Sequence, residues 1–440
     1  MTMPSKVRPD TADALLREVA AAQSESRLPS IAAGVVRDGG LVWTGTRGRY
    51  ATRDGDLPSI DRQYRIGSIS KTFTAVLVMQ CRDEGLLALS DAVGKHLPGV
   101  PFGDLSIRHL LAHSGGMYAE PAGDWWERNP GVGFDDLVAA MDQSAAVAPP
   151  DQRHHYSNLG YGILGELVSR LRGTTWMESV QRRILDPLEL RRTSYLPTGK
   201  AAHGFSVHPF SGVLEEEPAY DAGAMAPAGQ LWSTIEDLSR YAAFWIDPVH
   251  EVLSADTVEE MATPQAADPI ENLQASYGLG LRLVADGEHL LLGHTGSMPG
   301  FLAGLFADRV RGIGAVTLAN ATTGRCATVA ADLVSIVADF EPPLPAEWMP
   351  EATIAEGADL LGPWYWGNTP HSIVASGGVL VLVRAGGGRE SRLVPHPDGG
   401  FTGLDGYFAG ERLRVVRDDS GAIDHLNLAT FILTRTPYGR

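Results

Sequence analysis

Cysteine is nearly absent: only Cys81 and Cys326 occur in 440 residues, and they stand far apart. Two such residues make neither a disulfide framework nor a zinc site, so a reducing compartment is the expected setting. Positive charge is also scarce, with 36 Lys and Arg against 53 Asp and Glu and a formal net charge of -17. Without a basic cluster to offset that field, nucleic acid and anionic membrane surfaces are excluded as partners. No apolar run approaches the length of about 20 residues that a membrane-spanning helix needs. The opening Met1-Thr2-Met3-Pro4-Ser5-Lys6 leads into polar sequence with no apolar signal core, which predicts a cytoplasmic protein. Internal repeats and low-complexity tracts are missing. So is Gly-x-Ser-x-Gly, the nucleophile turn of α/β-hydrolases, which argues against that fold. His109-Leu110-Leu111-Ala112-His113 sets two histidines one helical turn apart, but Leu110 stands where a zinc peptidase needs glutamate. No metal site is expected there.

What remains is a globular balance, 44% hydrophobic and 20% charged, in a chain longer than one hydrophobic core usually serves. A large domain and a smaller one are expected. Leu15, Leu16, Val19 and Ala20 recur at helical spacing in residues 11–23, and residues 31–36 and 41–46 flank Asp38-Gly39-Gly40 as a hairpin. Phe73, Val76, Leu77, Met79 and Leu86 predict a buried helix over residues 68–87, and a second helix is predicted over 158–171. Strands follow in residues 290–320 and a helix in 327–340, an antiparallel sheet with helices on its faces and so an α+β design. Glu341-Pro342-Pro343-Leu344-Pro345 reads as a linker, because proline removes donors and fixes an extended path. The predicted domains are therefore 1–340 and 353–440, with 341–352 between them. Short β-type runs at 372–375, 379–383, 393–395, 412–417 and 425–434 predict an antiparallel meander or small barrel for the second. Gly386-Gly387-Gly388 marks a turn in it.

Gly67-Ser68-Ile69-Ser70-Lys71 opens the predicted buried helix. Ser-x-x-Lys spacing puts hydroxyl and ammonium on one helical face, and free N–H groups at the helix start favour developing negative charge. A serine hydroxyl is a weak nucleophile near neutral pH and needs a base. A lysine can serve if burial or neighbouring cations lower its pKa, and a tyrosine if a cation lowers its own. Tyr156-Ser157-Asn158 and His294-Thr295-Gly296 follow in order.

Ser-x-x-Lys, Tyr-x-Asn and His-x-Gly in that sequence resemble the class C β-lactamase and penicillin-binding-protein superfamily, whose third motif is Lys-Thr-Gly or His-x-Gly. Residues 107–117 and 229–234 carry the same likeness, which spans roughly residues 10–340. The resemblance implies a β-lactamase/transpeptidase-like domain followed by a lipocalin-like β domain, working without metal or organic cofactor. It implies acylation of Ser68, with Lys71 and Tyr156 sharing the proton and Asn158 fixing Lys71 and the substrate amide. Which of Lys71 and Tyr156 is the base stays open at this point. It further implies an oxyanion hole from the backbone N–H groups of Ser68 and Ser297, beside Gly296. His294 stands where β-lactamases and transpeptidases resemble one another in having lysine, so a permanent cation is replaced by a titratable imidazole, mostly neutral near pH 7, that could hydrogen-bond or hold Tyr156. Weak turnover of β-lactams is expected. His-x-Gly is similar to D-stereospecific aminopeptidases, esterases and the stand-alone thioesterases that release and macrocyclise nonribosomal peptides. The favoured expectation is such a cyclase, acting on a peptide thioester or ester that a carrier protein could deliver. A D-aminopeptidase or esterase is the alternative, and a catalytically silent sensor the third. Trp125, Trp126 and Trp232 are candidates to line a pocket, His154-His155 to support Tyr156, and Arg435 to reach the substrate from the second domain.

Overall fold

Alternation along residues 30–37 sends Ile31, Ala33 and Val35 to one apolar cluster and Ala32 and Val36 to another, the pattern of a strand buried on both faces. The computed structural model that contains it describes residues 7–50, 56–142, 144, 146–267, 275–345, 347–348, 356–387 and 390–438. Met1–Lys6, residues 349–352 of the expected linker and Gly388 of the glycine run lie outside the described residues. Two units are present, Met1–Pro343 and Leu344–Arg440.

The first unit is built on one sheet. Its strands are β1 (Ser30–Arg37), β2 (Gly40–Gly48), β3 (Ala266–Ala267), β4 (Ala275–Tyr277), β5 (Arg282–Asp286), β6 (His289–Met298), β7 (Phe301–Asp308) and β8 (Ile313–Ala319). They lie in the order β2-β1-β8-β7-β6-β5-β4-β3 with antiparallel neighbours, so the opening hairpin completes a sheet whose other strands come from residues 266–319. Five helices frame it: α1 (Pro9–Glu25), α2 (Ser70–Asp83), α3 (Asn158–Arg172), α4 (Ile235–Ile246) and α5 (Cys326–Phe340). Leu15, Val19 and Ala22 of α1 and Val329, Leu333 and Val337 of α5 cover one face against Ile31, Val35, Ala315 and Phe306. Ile235, Leu238 and Ala242 of α4, with the rest of the helical region, cover the other against Val36, Leu305 and Val316.

Every residue of α2 from Ser70 to Cys81 is buried, so this helix is a core element rather than an amphipathic one. It begins two residues later than the motif suggested, because Gly67–Ile69 form a 3-10 turn ahead of it. Its buried hydroxyls are satisfied: Thr72 donates to the Ile69 carbonyl at 2.7 Å and Thr74 to the Pro227 carbonyl at 2.9 Å. No helix of the described residues is long and apolar enough to cross a membrane.

The second unit is an eight-stranded antiparallel meander, β9 (Gly362–Trp366), β10 (Thr369–Ser376), β11 (Val379–Arg384), β12 (Ser391–Pro395), β13 (Phe401–Gly403), β14 (Arg412–Arg417), β15 (Ile423–Leu428) and β16 (Phe431–Leu433). The first strand meets the last: Tyr365 N–H donates to the Thr434 carbonyl at 2.8 Å and Thr434 N–H returns to the Tyr365 carbonyl at 3.0 Å. The unit is thus an antiparallel near-barrel with lipocalin-like topology. Trp364, Ile373, Leu380, Leu393, Leu413 and Leu426 pack its inside, and the cavity beside His371 and Phe408 measures about 10 Å³, room for one water at most. β9 and β13 were not expected from sequence, since glycine and proline break up their short apolar runs.

Replacing Thr434 with proline removes one of the two seam hydrogen bonds and leaves the Tyr365 carbonyl without its donor. We expect Thr434→Pro to destabilise the second unit by roughly 1–3 kcal/mol, read as faster amide exchange at Tyr365 in the full chain. Unchanged exchange there would mean the seam contributes nothing to closure.

Candidate active site

Two glycines let a strand and a turn meet at backbone distance. Gly67 has φ +51°, and a Cβ on it would fall 2.5 Å from the Ser297 nitrogen. A Cβ on Gly296 would fall 1.9 Å from the Ile66 carbonyl oxygen. The Gly67–Ile69 turn therefore lies flat against the end of β6, and only glycine fits at either position. On its other side the turn is held by Leu231, whose carbonyl accepts from Ile66 N–H at 2.9 Å and whose N–H donates to Ser70 Oγ at 3.1 Å. The backbone N–H groups of Ser68 and Ser297 are brought together by this packing, while the Ser297 side chain is exposed.

Lys71 is fully buried. Its Nζ lies 2.9 Å from Ser68 Oγ, 2.6 Å from Asn158 Oδ1 and 2.7 Å from the Ala228 carbonyl oxygen. Burial pushes its pKa down to about 7, against an upward pull from the Glu120 and Glu127 carboxylates. The three contacts suit a neutral amine: two N–H bonds go to Asn158 and Ala228, which only accept, and the lone pair faces the Ser68 hydroxyl. Tyr156 sits beside this amine, its ring centroid 4.9 Å from Nζ. Its buried hydroxyl has no hydrogen-bond partner of ordinary geometry. Burial pushes that phenol's pKa up, and the Ser68 hydroxyl offsets only part of the rise. Near neutral pH the phenol keeps its proton while the amine can lose one, so the geometry suits Lys71 as base and Tyr156 as acid.

Three contributors have no signature in the motifs. Glu120 accepts from Asn158 Nδ2 at 2.6 Å through Oε1 and from Trp126 Nε1 at 2.7 Å through Oε2, so it fixes which way the Asn158 amide faces. Glu127 accepts from Trp125 Nε1 at 2.9 Å, and burial pushes its carboxyl pKa up. The Ala228 carbonyl is the third. Asn158 itself is set by the start of α3, where Ser157 Oγ caps the helix by accepting from Gly160 N–H at 3.2 Å.

Residues 12–339 match the family described as Beta-lactamase. The chain belongs to the β-lactamase family. Residues 354–435 match a second family, described as Domain of unknown function (DUF7586). Penicillin-binding protein 4 of Amycolatopsis lactamdurans is 30% identical over 52% of this chain and 62% of its own length. The chain spans about half the length of the curated relatives it matches. Among solved structures, the octameric penicillin-binding protein homologue from Pyrococcus abyssi covers 96% of this chain and 99% of its own, at 23% identity and a TM-score of 0.67. The D-stereospecific amidohydrolase from Streptomyces sp. covers 75% and 97%, at 28% identity and a TM-score of 0.59.

Two polar neighbours fix the state of the His294 ring. One ring nitrogen, Nδ1, is hydrogen-bonded to the Thr295 carbonyl, which only accepts, so the proton is on Nδ1. Nε2 therefore accepts from the Tyr277 hydroxyl at 2.8 Å. Burial, with Lys71 and Arg282 nearby, pushes the pKa of His294 down to about 3. Expected to be mostly neutral near pH 7 and to hydrogen-bond or hold Tyr156, it is neutral but holds Tyr277, with its ring centroid 6.1 Å from that of Tyr156.

Trp232, a candidate pocket wall, lies in the core at 4% exposure, edge-on to Phe301 at 5.2 Å; Trp126 is the tryptophan at the site. Arg435 is used inside the second unit, donating to the carbonyls of Asp359, Leu361 and Pro363 and stacking on Trp364 at 3.9 Å. His109 bonds Asp151 at 3.0 Å through Nε2 and takes the Ser106 N–H on Nδ1, so the paired histidines do not converge on a metal.

Two outcomes follow from this geometry. If Lys71 after losing its proton is the base, acylation of Ser68 by an activated ester should rise with pH and reach half its plateau near pH 7; a half-point near pH 5 in stopped-flow traces would assign a carboxylate instead. Gly296→Ala should push Ser297 off the turn and slow acylation on the order of 100-fold, the scale of losing one oxyanion donor.

Proposed function

We propose that the chain cleaves amides or esters of amine-bearing D-amino acids or peptides through an acyl-enzyme on Ser68. The observation that carries this reading is electrostatic. Glu120 and Glu127 both act on Lys71, while His294, at the position where a cation would meet a carboxylate, is neutral. Such a wall favours an ammonium on the acyl side and disfavours a carboxylate. The D-stereospecific amidohydrolase, 28% identical over three quarters of the chain, supports the stereochemical part.

Ser68 Oγ attacks the carbonyl as its proton passes to Lys71. The oxyanion forms against the N–H groups of Ser68 and Ser297. The C–N or C–O bond then breaks while the leaving group takes the proton of Tyr156, which Lys71 replenishes. Water, deprotonated in turn by Lys71, hydrolyses the ester. The second reading is head-to-tail cyclisation of a peptidyl thioester brought by a carrier protein, in which the substrate's own amine resolves the acyl-enzyme. The same carboxylates support it, since they would draw that amine towards the carbonyl.

Matched D- and L-amino acid amides, their N-acetylated forms, nitrocefin and a linear peptide thioester ending in a D-residue separate these readings. We expect the free-amine D-amide to be turned over fastest, N-acetylation to abolish preference, and a mass adduct on Ser68 that is lost in Ser68→Ala. Comparable turnover of nitrocefin, or indifference to acetylation, would overturn the electrostatic argument. Cyclic product from the thioester, with little linear acid, would replace hydrolysis by cyclisation.

A further inference from the structure

The segment carrying Tyr156 is pinned from both sides by one residue. The His113 carbonyl accepts from His155 N–H at 2.8 Å, and His113 Nδ1 accepts from Ser157 N–H at 3.0 Å. Between these two bonds the imidazole face lies against the Tyr156 ring, with centroids 4.2 Å apart. Tyr277 packs edge-on against the same imidazole at 4.6 Å. His113 is 2% exposed and sits at φ +55°, a left-handed backbone that His and Asn tolerate better than most residues. Because Nδ1 accepts from an amide, the ring carries its hydrogen on Nε2, which has no partner. Burial and the nearby Lys71 push its pKa well down, so the ring presents a neutral face to the phenol.

We propose that His113 is a positioning residue that holds Tyr156 in place as the proton donor to the leaving group. This rests on the Ser68, Lys71 and Tyr156 roles given above and adds a residue that touches neither substrate nor nucleophile. Lys71 and Asn158 have further anchors of their own in the Ala228 carbonyl and Glu120, so the base depends on His113 less than the Tyr156 ring does. A phenol displaced by a fraction of an ångström still permits attack on the carbonyl but no longer meets a departing nitrogen. The expected signature is therefore selective. An amide needs its leaving group protonated, whereas a p-nitrophenolate leaves without help.

The experiment compares amide and p-nitrophenyl ester of one amino acid in three full-length variants, His113→Phe, His113→Asn and Tyr156→Phe. His113→Phe keeps a ring face but loses the Nδ1 acceptor, and we expect kcat for the amide to fall roughly tenfold or more with the ester within about threefold and KM little changed. His113→Asn keeps an acceptor on Cγ and the left-handed backbone, and should restore amide kcat to within about threefold of the parent. Equal losses on both substrates, or no loss in His113→Phe, would overturn the proposal. Should His113→Phe fail to fold, His113→Ala, which removes both the ring face and the acceptor, takes its place: an amide-selective loss there supports the proposal, and an equal loss on both substrates or no loss sinks it. Tyr156→Phe separates the layers: an unaltered amide-to-ester ratio there removes the donor role itself, while a selective loss there but not in His113→Phe removes only His113.

Discussion

The site depends on an amine taken out of water without a carboxylate in contact with it. As a neutral amine Lys71 has its two hydrogens committed to uncharged oxygens, those of Asn158 and Ala228, and its third contact is the Ser68 hydroxyl, whose proton it takes in the proposed mechanism. Shifting its pKa from 10.5 to about 7 corresponds to a penalty on the order of 5 kcal/mol when the group is charged. An unfolded lysine keeps its proton up to about pH 10.5, so the folded state loses stability as pH falls from there towards 7, and the full penalty applies below it. Had Glu120 touched the ammonium directly, the charge would be retained and the base lost. One intervening amide, Asn158, gives polar support without that neutralising contact.

The second constraint is steric. Gly67 and Gly296 let two stretches of backbone touch, and the donors of the oxyanion hole come from those stretches and not from side chains. The surrounding sheet and the buried helix keep the contact closed, since the end of β6 is paired with β7 through Met298 and α2 is buried from Ser70 to Cys81. Chemistry that needs fixed dipoles is thus placed where the fold is least able to move.

Much of this was legible in the sequence, and what was not has a physical pattern. Ser68, Lys71, Tyr156 and Asn158 were readable because their spacing is local and their types are chemically uncommon together. The hairpin at Asp38-Gly39 and the helices over 9–25, 158–172 and 326–340 announce themselves by periodicity. Ala228 could not be found, because a carbonyl looks alike in every residue. Glu120 and Tyr277 act through contacts with residues 38 and 17 positions away, where no spacing rule applies. Trp232 failed as a pocket residue because apolar character alone does not separate a core ring from a wall. The partner of His294 was not readable, because its environment is assembled from Tyr277 of β4, Arg282 of β5 and Lys71 of α2.

The closure of the second unit has a consequence for how it is carried. Since β9 and β16 are neighbours, the chain enters and leaves the barrel at adjacent points, and Arg435 laces them together by grasping the carbonyls of residues 359, 361 and 363. A body whose two ends emerge side by side is portable: it can be appended to a host, or spliced into one of its loops, without stretching either fold.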